Sequence, residues 1–201
     1  MTKSLRKDFR REIKKSFSRF ISILLIVALS VAFCSGITSS ISAMQLSADN
    51  VYDKENLMDI RITGTLGLSE SDLEAIKKID GVEFAEGSFT TDFLCLVNSE
   101  EIVTKVISMP EQINSVVLLE GNLPEKHNEC AVSREFLKTS GLSVGDSVTF
   151  STGGDAKVFD TLASETYKIV GVVSSSYFLN GDMGSAEIGD GTVDGYVVLS
   201  Q

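Results

Sequence analysis

Residues 20–44 read FISILLIVALSVAFCSGITSSISAM and carry no charged side chain. Phe20 to Ile41 is 22 residues. At about 1.5 Å per residue a helix of that length reaches about 33 Å, enough to cross a hydrocarbon core of about 30 Å. Ser22, Ser30 and Ser35 can bond back to helix carbonyls, so no polar group need face lipid unpaired.

Residues 1–19, MTKSLRKDFRREIKKSFSR, carry Lys3, Arg6, Lys7, Arg10, Arg11, Lys14, Lys15 and Arg19 against only Asp8 and Glu12. The other residues carry ten basic and 26 acidic side chains. Lys and Arg stay on the cytoplasmic side of a membrane helix. This predicts a cytoplasmic amino terminus in the plasma membrane and a main domain outside the cell. A cleaved signal peptide is the rival reading, since Ser40-Ile41-Ser42 before Ala43 is a tolerable cleavage context. Against it, the apolar run is longer than the usual apolar region of about 7–15 residues.

Within the basic segment, Leu5, Phe9, Ile13 and Phe17 recur every four residues. On a helix they form one apolar stripe flanked by cations, suited to the membrane interface and its anionic headgroups. The alternative is a solvated basic tail that sets topology alone. Small residues Ala28, Ser30, Ala32, Ser35 and Gly36 are candidate positions for close helix packing, or they face lipid.

Beyond the apolar run, residues 45–56 read as a helical stalk and residues 57–201 as the extracytoplasmic domain. In LMDIRITGTLG, Met58, Ile60 and Ile62 alternate with polar residues, which predicts a half-buried strand. LSESDLEAIKKIDGVEF follows. Ser69 with Asp72 forms a capping pattern, Leu73, Ile76 and Ile79 share a face, Gly81 ends the helix and Val82 begins another strand. FLCLVN and EIVTKVISM predict a hairpin around Ser99 and Glu100. A second capped helix spans Ser133 to Thr139 and ends at Ser140-Gly141. VGDSVTF, YKIVGVVSSS and GYVVLSQ read as strands, joined by Gly-rich connections at Gly153-Gly154 and Gly181 to Gly195. The expected fold is α+β: one amino-terminal transmembrane helix, then a mixed, sheet-dominated domain with two or three short helices.

The search for chemistry assigns no catalytic, cofactor-binding or metal residue. No G-x-x-x-x-G-K-[ST] occurs, and the single histidine cannot build the usual zinc site. Gly141-Leu142-Ser143-Val144-Gly145 matches G-x-S-x-G, but with a helix before it and a strand after it, the reverse of a nucleophile elbow. His127 lies in a polar loop. Asp182, Glu187, Asp190 and Asp194 do not have EF-hand spacing and read as a solvated loop. The acidic outer part excludes nucleic acid as a partner. Cys95 and Cys130 either pair, as an oxidising compartment allows, or sit as free buried thiols.

RKDFRREIKKSFSRFISILLIVALSVAFCSGI resembles the amino terminus of FtsX/MacB-type ABC transporter permeases, especially the long permeases of Gram-positive bacteria. LLEGNLPEKHNECAVSREFLKTSGLSVGDSVTF with YKIVGVVSSS is similar to their extracytoplasmic core domain. There a Gly-x-x-Pro turn (Gly121 to Pro124), a short strand and helix (Cys130 to Thr139) and a Val-Gly-Asp turn (Val144 to Asp146) precede a strand. The resemblance implies a non-enzymatic permease component, working in transport or mechanotransmission and driven by a separate ATPase. Its partners would be that ATPase, contacted through segments downstream of this chain, other permease helices and the lipid bilayer. Such permeases have several membrane helices and this chain has one. It is therefore read as the amino-terminal portion of a longer permease, with an incomplete domain and an exposed sheet edge. A self-sufficient single-pass binding or sensor module is the alternative; a secreted hydrolase is a third and weaker one.

Overall fold

Helix α1 (Lys3–Lys15) and helix α2 (Phe17–Lys54) open the computed structural model. It describes residues 3–97, 100–154, 157–178 and 183–200, with side chains given from Lys7 onward. The chain divides into two compact units, Met1–Asn50 and Val51–Gln201. In the first, α2 spans 38 residues and holds no buried residue. It is long and apolar enough to cross a membrane. Ser22, Ser30 and Thr38 hydroxyls donate to the carbonyls of Ser18, Ile26 and Cys34, at 2.9, 2.8 and 2.5 Å, so the helix satisfies them itself.

The second unit contains α3 (Glu70–Ile76), β1 (Thr90–Val97), β2 (Glu100–Ser108), β3 (Val116–Gly121), β4 (Glu129–Val132), α4 (Arg134–Ser140), β5 (Ser147–Ser151), β6 (Thr166–Ser175) and β7 (Gly195–Leu199). The strand order is β3-β6-β4-β7-β2-β1-β5, and β5 also pairs with β6. That last pairing closes β6, β4, β7, β2, β1 and β5 into a ring, a small mixed barrel whose interior side chains can fill. Strand β3 lies outside the ring. It pairs antiparallel with the second half of β6, with a register shift between Leu118 and Glu120.

Alternation decides which side chains enter the barrel. Phe93 and Cys95 of β1, Ile102 and Val106 of β2, Cys130 and Val132 of β4, Val148 and Phe150 of β5, Tyr167 and Ile169 of β6 and Val197 and Leu199 of β7 form one buried cluster. Phe136, 0% exposed, enters it from α4. Phe150 lies 5.7 Å from Phe93 and 5.5 Å from Tyr167, ring centre to ring centre. Each such ring contributes about 1.5–3 kcal/mol by leaving water. The opposite faces of β4 and β7 supply Ala131, Tyr196 and Val198 to a second cluster with Ile107, Val173, Phe178 and Met183. Hence β7 is buried along its whole length.

Ser133 knots helix to barrel. Its Oγ accepts from the N–H of Phe136 at 3.1 Å and from that of Tyr196 at 3.3 Å, and its own N–H donates to the Tyr196 carbonyl. The approach is close enough that a Cβ on Gly195 would come within 2.7 Å of Phe136 Cα.

The sheet-dominated α+β fold is as expected, with three differences. Residues 57–67 form no strand; only an isolated bridge joins Thr65 and Gly67. Val82 starts no strand either, so the expected strand–helix–strand unit contributes α3 alone. Conversely β3, absent from the expected strands, forms by pairing with β6. β1 and β2 pair antiparallel as expected, from Thr90↔Ile107 to Val97↔Glu100; Ser99 lies outside the described residues.

Candidate functional site

In the first unit, Lys7, Arg10, Arg11, Lys14, Lys15 and Arg19 are exposed; the side chains of Lys3 and Arg6 lie outside those described. Phe9 and Phe17, on the apolar stripe, are 62% and 59% exposed. The helix is interrupted at Ser16. Ala28, Ser30, Ala32, Ser35 and Gly36 are all exposed on α2.

The most organised polar cluster of the second unit lies where α2 ends. Asn56 has φ 49°, the left-handed conformation that asparagine tolerates. With it the Leu57 N–H donates to the Tyr52 carbonyl and the Asn56 N–H to Asp53, the bonding of a Schellman stop. The stopped end is stapled to the loop entering β3. The Asn114 N–H donates to the Asn56 carbonyl at 2.9 Å and the Ser115 N–H to the Glu55 carbonyl at 2.8 Å. In return the Met58 N–H donates to Asn114 Oδ1 at 3.0 Å, and Asn56 Nδ2 donates to the Gln112 carbonyl at 3.2 Å. Asn114 also has positive φ, 55°; these two asparagines are the only non-glycine residues so placed among the described ones.

Two carboxylates complete the junction. Glu55 Oε2 accepts from the Ser176 N–H at 2.9 Å, reaching the turn Ser176–Phe178 that follows β6. Glu86 accepts three consecutive N–H groups, of Glu111, Gln112 and Ile113, at 2.6, 3.0 and 2.8 Å. The loop before β3 thus holds the helix end on one side and residue 86 on the other. Arg61 bonds the Tyr177 hydroxyl, with its guanidinium carbon 5.5 Å from that ring's centre.

None of these junction residues was a sequence candidate. An asparagine just after a polar helix end signals a left-handed stop, so Asn56 was within reach. Asn114 and Glu86 act across 58 and 25–27 positions of chain, and no local pattern announces them.

The remaining candidates are dispersed. Cys95 and Cys130 are free and buried. Burial pushes the Cys130 thiol up to about 12; burial, then the neighbouring Cys130, pushes Cys95 up as well. They are inert core residues rather than nucleophiles. In G-x-S-x-G, Gly141 ends α4 at φ 69° and the Ser143 N–H donates to Asp146 Oδ2 at 2.9 Å, so the motif is a helix-to-strand turn. His127 is exposed. Asp182 lies outside the described residues, and among those described no three His, Cys, Asp or Glu side chains gather as a metal site. A shallow groove of about 370 Å³ between α4 and β3 is lined by Leu119, Glu120, Arg134, Leu137, Lys138 and Val172.

No curated protein matches the chain in sequence. One similar solved structure is the extracellular domain of the noncanonic ABC-type transporter YknZ from Gram-positive bacteria. The TM-score is 0.42 at 11% identity, over 68% of this chain and 64% of that one, so this chain spans less than two thirds of that structure's length. The MacB-like periplasmic core domain family matches residues 20–200, from the start of the apolar helix through β7. With that match over nearly its whole length, the chain belongs to the MacB-like periplasmic core domain family, the extracytoplasmic domain type of ABC transporter permeases.

Proposed function

We propose that this chain is the amino-terminal part of an ABC transporter permease, working in transport or mechanotransmission and driven by a separate ATPase. The basic segment stays in the cytoplasm of a cell with a plasma membrane, α1 lies along the inner leaflet, and the barrel stands outside. Lys3, Arg6, Lys7, Arg10, Arg11, Lys14, Lys15 and Arg19 meet anionic headgroups. Ala28, Ala32, Ser35 and Gly36 let other permease helices approach. The role is mechanical and binding, with no chemistry and no cofactor of its own. The extracytoplasmic domain takes in residues 57–201, behind a stalk of residues 45–56.

One observation carries this reading. Helix α2 continues without interruption from Phe17 to Lys54 and ends in a stapled junction rather than a loose linker. At about 1.5 Å per residue it is about 57 Å long, far beyond the hydrocarbon thickness. The part beyond the hydrocarbon core is the stalk of residues 45–56.

The closed barrel favours a second reading, a single-pass anchored binding or sensor module, because the ring needs no further strand. Purification of the tagged permease from native membranes in mild detergent separates the two. The permease reading expects a stoichiometric ABC ATPase in the complex. A chain recovered alone, with full occupancy of a soluble ligand, would establish the sensor.

A further inference from the structure

We infer that residues 57–63, LMDIRIT, are a docking strand for a second copy of this chain, and that the two copies pair antiparallel about Ile60. The segment lies wholly in the second unit, so the pairing is independent of the permease reading.

The stretch is bounded, and its main chain is open. Asn56 stops α2 before it, and the Gly67 N–H donates to the Gly64 carbonyl at 3.0 Å in a turn after it. Among the described residues, no hydrogen bond reaches the main chain of residues 59–63. Unpaired backbone of this kind recruits another strand, and Lys and Pro, which blunt such edges, are both missing from LMDIRIT. Its side chains already alternate, with Met58, Ile60 and Ile62 on one face and Asp59, Arg61 and Thr63 on the other.

Charge selects a second copy as the occupant. In an antiparallel pair centred on Ile60, Ile60 faces Ile60, Met58 faces Ile62, and Asp59 faces Arg61 twice over. One face of the ribbon is then apolar, and the other carries two opposed ion pairs. Moving the centre to Asp59 or Arg61 sets like charges directly opposite each other, and so does parallel in-register pairing. A one-residue slip sets Ile60 against Asp59 or Arg61. The segment therefore specifies its own register. Beyond residue 19 the chain carries 26 acidic and ten basic side chains, so two copies repel. Residues 56–68 hold only Asp59 and Arg61, no net charge, which makes this a place where copies can approach.

The side chains are available. Asp59 has no hydrogen bond or ion pair among the described residues. Arg61 bonds the Tyr177 hydroxyl through one Nη, and a guanidinium has further donors for the carboxylate of a second copy. Ile60 and Ile62 are exposed, as are Leu66, Leu68, Phe84 and Phe89 farther along. A two-stranded ribbon alone is marginal in water. These side chains give it apolar surface to bury, and a two-fold pair uses each of them on both copies.

The test uses the full chain with Cys34→Ser in mild detergent micelles, where unreactive Cys95 and Cys130 report that the barrel is folded. Ile60→Cys and Ile62→Cys are each oxidised with copper phenanthroline, and the disulfide-linked dimer is followed over time. Directly opposed Cα atoms lie about 4.5–5.5 Å apart, within disulfide reach, whereas position 62 lies more than about 13 Å from its own counterpart. Ile60→Cys is expected to link at least tenfold faster than Ile62→Cys. Adding Asp59→Arg or Arg61→Asp to Ile60→Cys should slow linking by about tenfold, since like charges then face each other. An equal mixture of those two variants should restore it, because two positive residues of one copy then meet two negative residues of the other. Dimers held by α2 alone would link both positions without regard to charge, and that result overturns the pairing. Slowing by either reversal that the mixture fails to relieve points to a partner other than a second copy, and equally overturns it.

Discussion

Residues 57–89 and the barrel strands share one local pattern and meet opposite fates. Met58, Ile60 and Ile62 alternate with polar residues just as Val148 and Phe150 do in β5. Yet β5 is 1–2% exposed at its inward positions, whereas Ile60 is 79% and Leu66 100% exposed. β5 sits between β1 and β6, which bond both its edges. Among the described residues, 57–67 have no strand beside them. Alternation makes a segment fit to be a strand; the partner decides whether it becomes one. The excursion forms α3, whose reciprocal Ser69–Asp72 cap needs no partner strand, and is otherwise held by single anchors at Arg61 and Glu86.

The largest effect expected from this contrast comes from substituting one apolar residue on each side of it. Phe136→Ala should cost about 3–5 kcal/mol, because it removes a ring from a closed cluster that cannot collapse around the space. Ile60→Ser should change stability by less than about 0.5 kcal/mol, as at a surface position. Pulsed alkylation of Cys95 and Cys130 in urea, in the Cys34→Ser background, reads both. A cost above 1 kcal/mol at Ile60 would show that the excursion packs against something.

Proton linkage should separate the regions next, at opposite ends of the pH scale. In the unfolded chain Cys130 ionises at its ordinary 9.0; in the barrel it stays protonated until about 12. Cys95 is raised in the same sense. The folded state therefore keeps protons that the unfolded state loses. Stability is full below pH 9 and falls as pH rises towards 12, by about 1.4 kcal/mol per pH unit for each thiol. Cys130→Ala should remove one thiol's share of that slope and leave the Cys95 share, and an unchanged slope would place the Cys130 thiol outside the core. In the excursion the Ser69 hydroxyl and N–H hold the Asp72 carboxyl below its ordinary 3.8. That contribution is present above pH 3.8 and disappears as pH falls through the lowered value.

What could be read from the chain follows the same division. Both helix caps, the α4-to-β5 turn at Gly141 to Asp146 and the strands of the ring from β1, β2, β5, β6 and β7 lie in local residue patterns. β3 was missed because VVLLEG has no alternation to betray it: it pairs beside β6 with Val117, Leu118 and Leu119 still 37–41% exposed. Closure of the ring depends on β5 reaching β6 and β1 together, a non-local fact. The junction was hidden for the same reason. Asn56 and Asn114 each look like ordinary turn residues, and their meaning lies in facing each other.

The smallest expected effect is the sharpest use of the comparison, because it sets two serine caps side by side. Ser133 and Ser69 each accept a hydrogen bond from the N–H three residues on, in a seven-residue helix. Ser133 is 0% exposed and also takes the Tyr196 N–H, so alanine there strands two buried donors. About 1–2 kcal/mol of barrel stability should be lost. Ser69→Ala should leave the barrel's unfolding unchanged within about 0.5 kcal/mol. Its effect should appear only in amide exchange of Glu70–Ile76, accelerated by about fivefold for a cap worth about 1 kcal/mol. If both substitutions lower barrel stability equally, α3 belongs to the barrel's cooperative unit, and its open surroundings carry more packing than their exposure indicates.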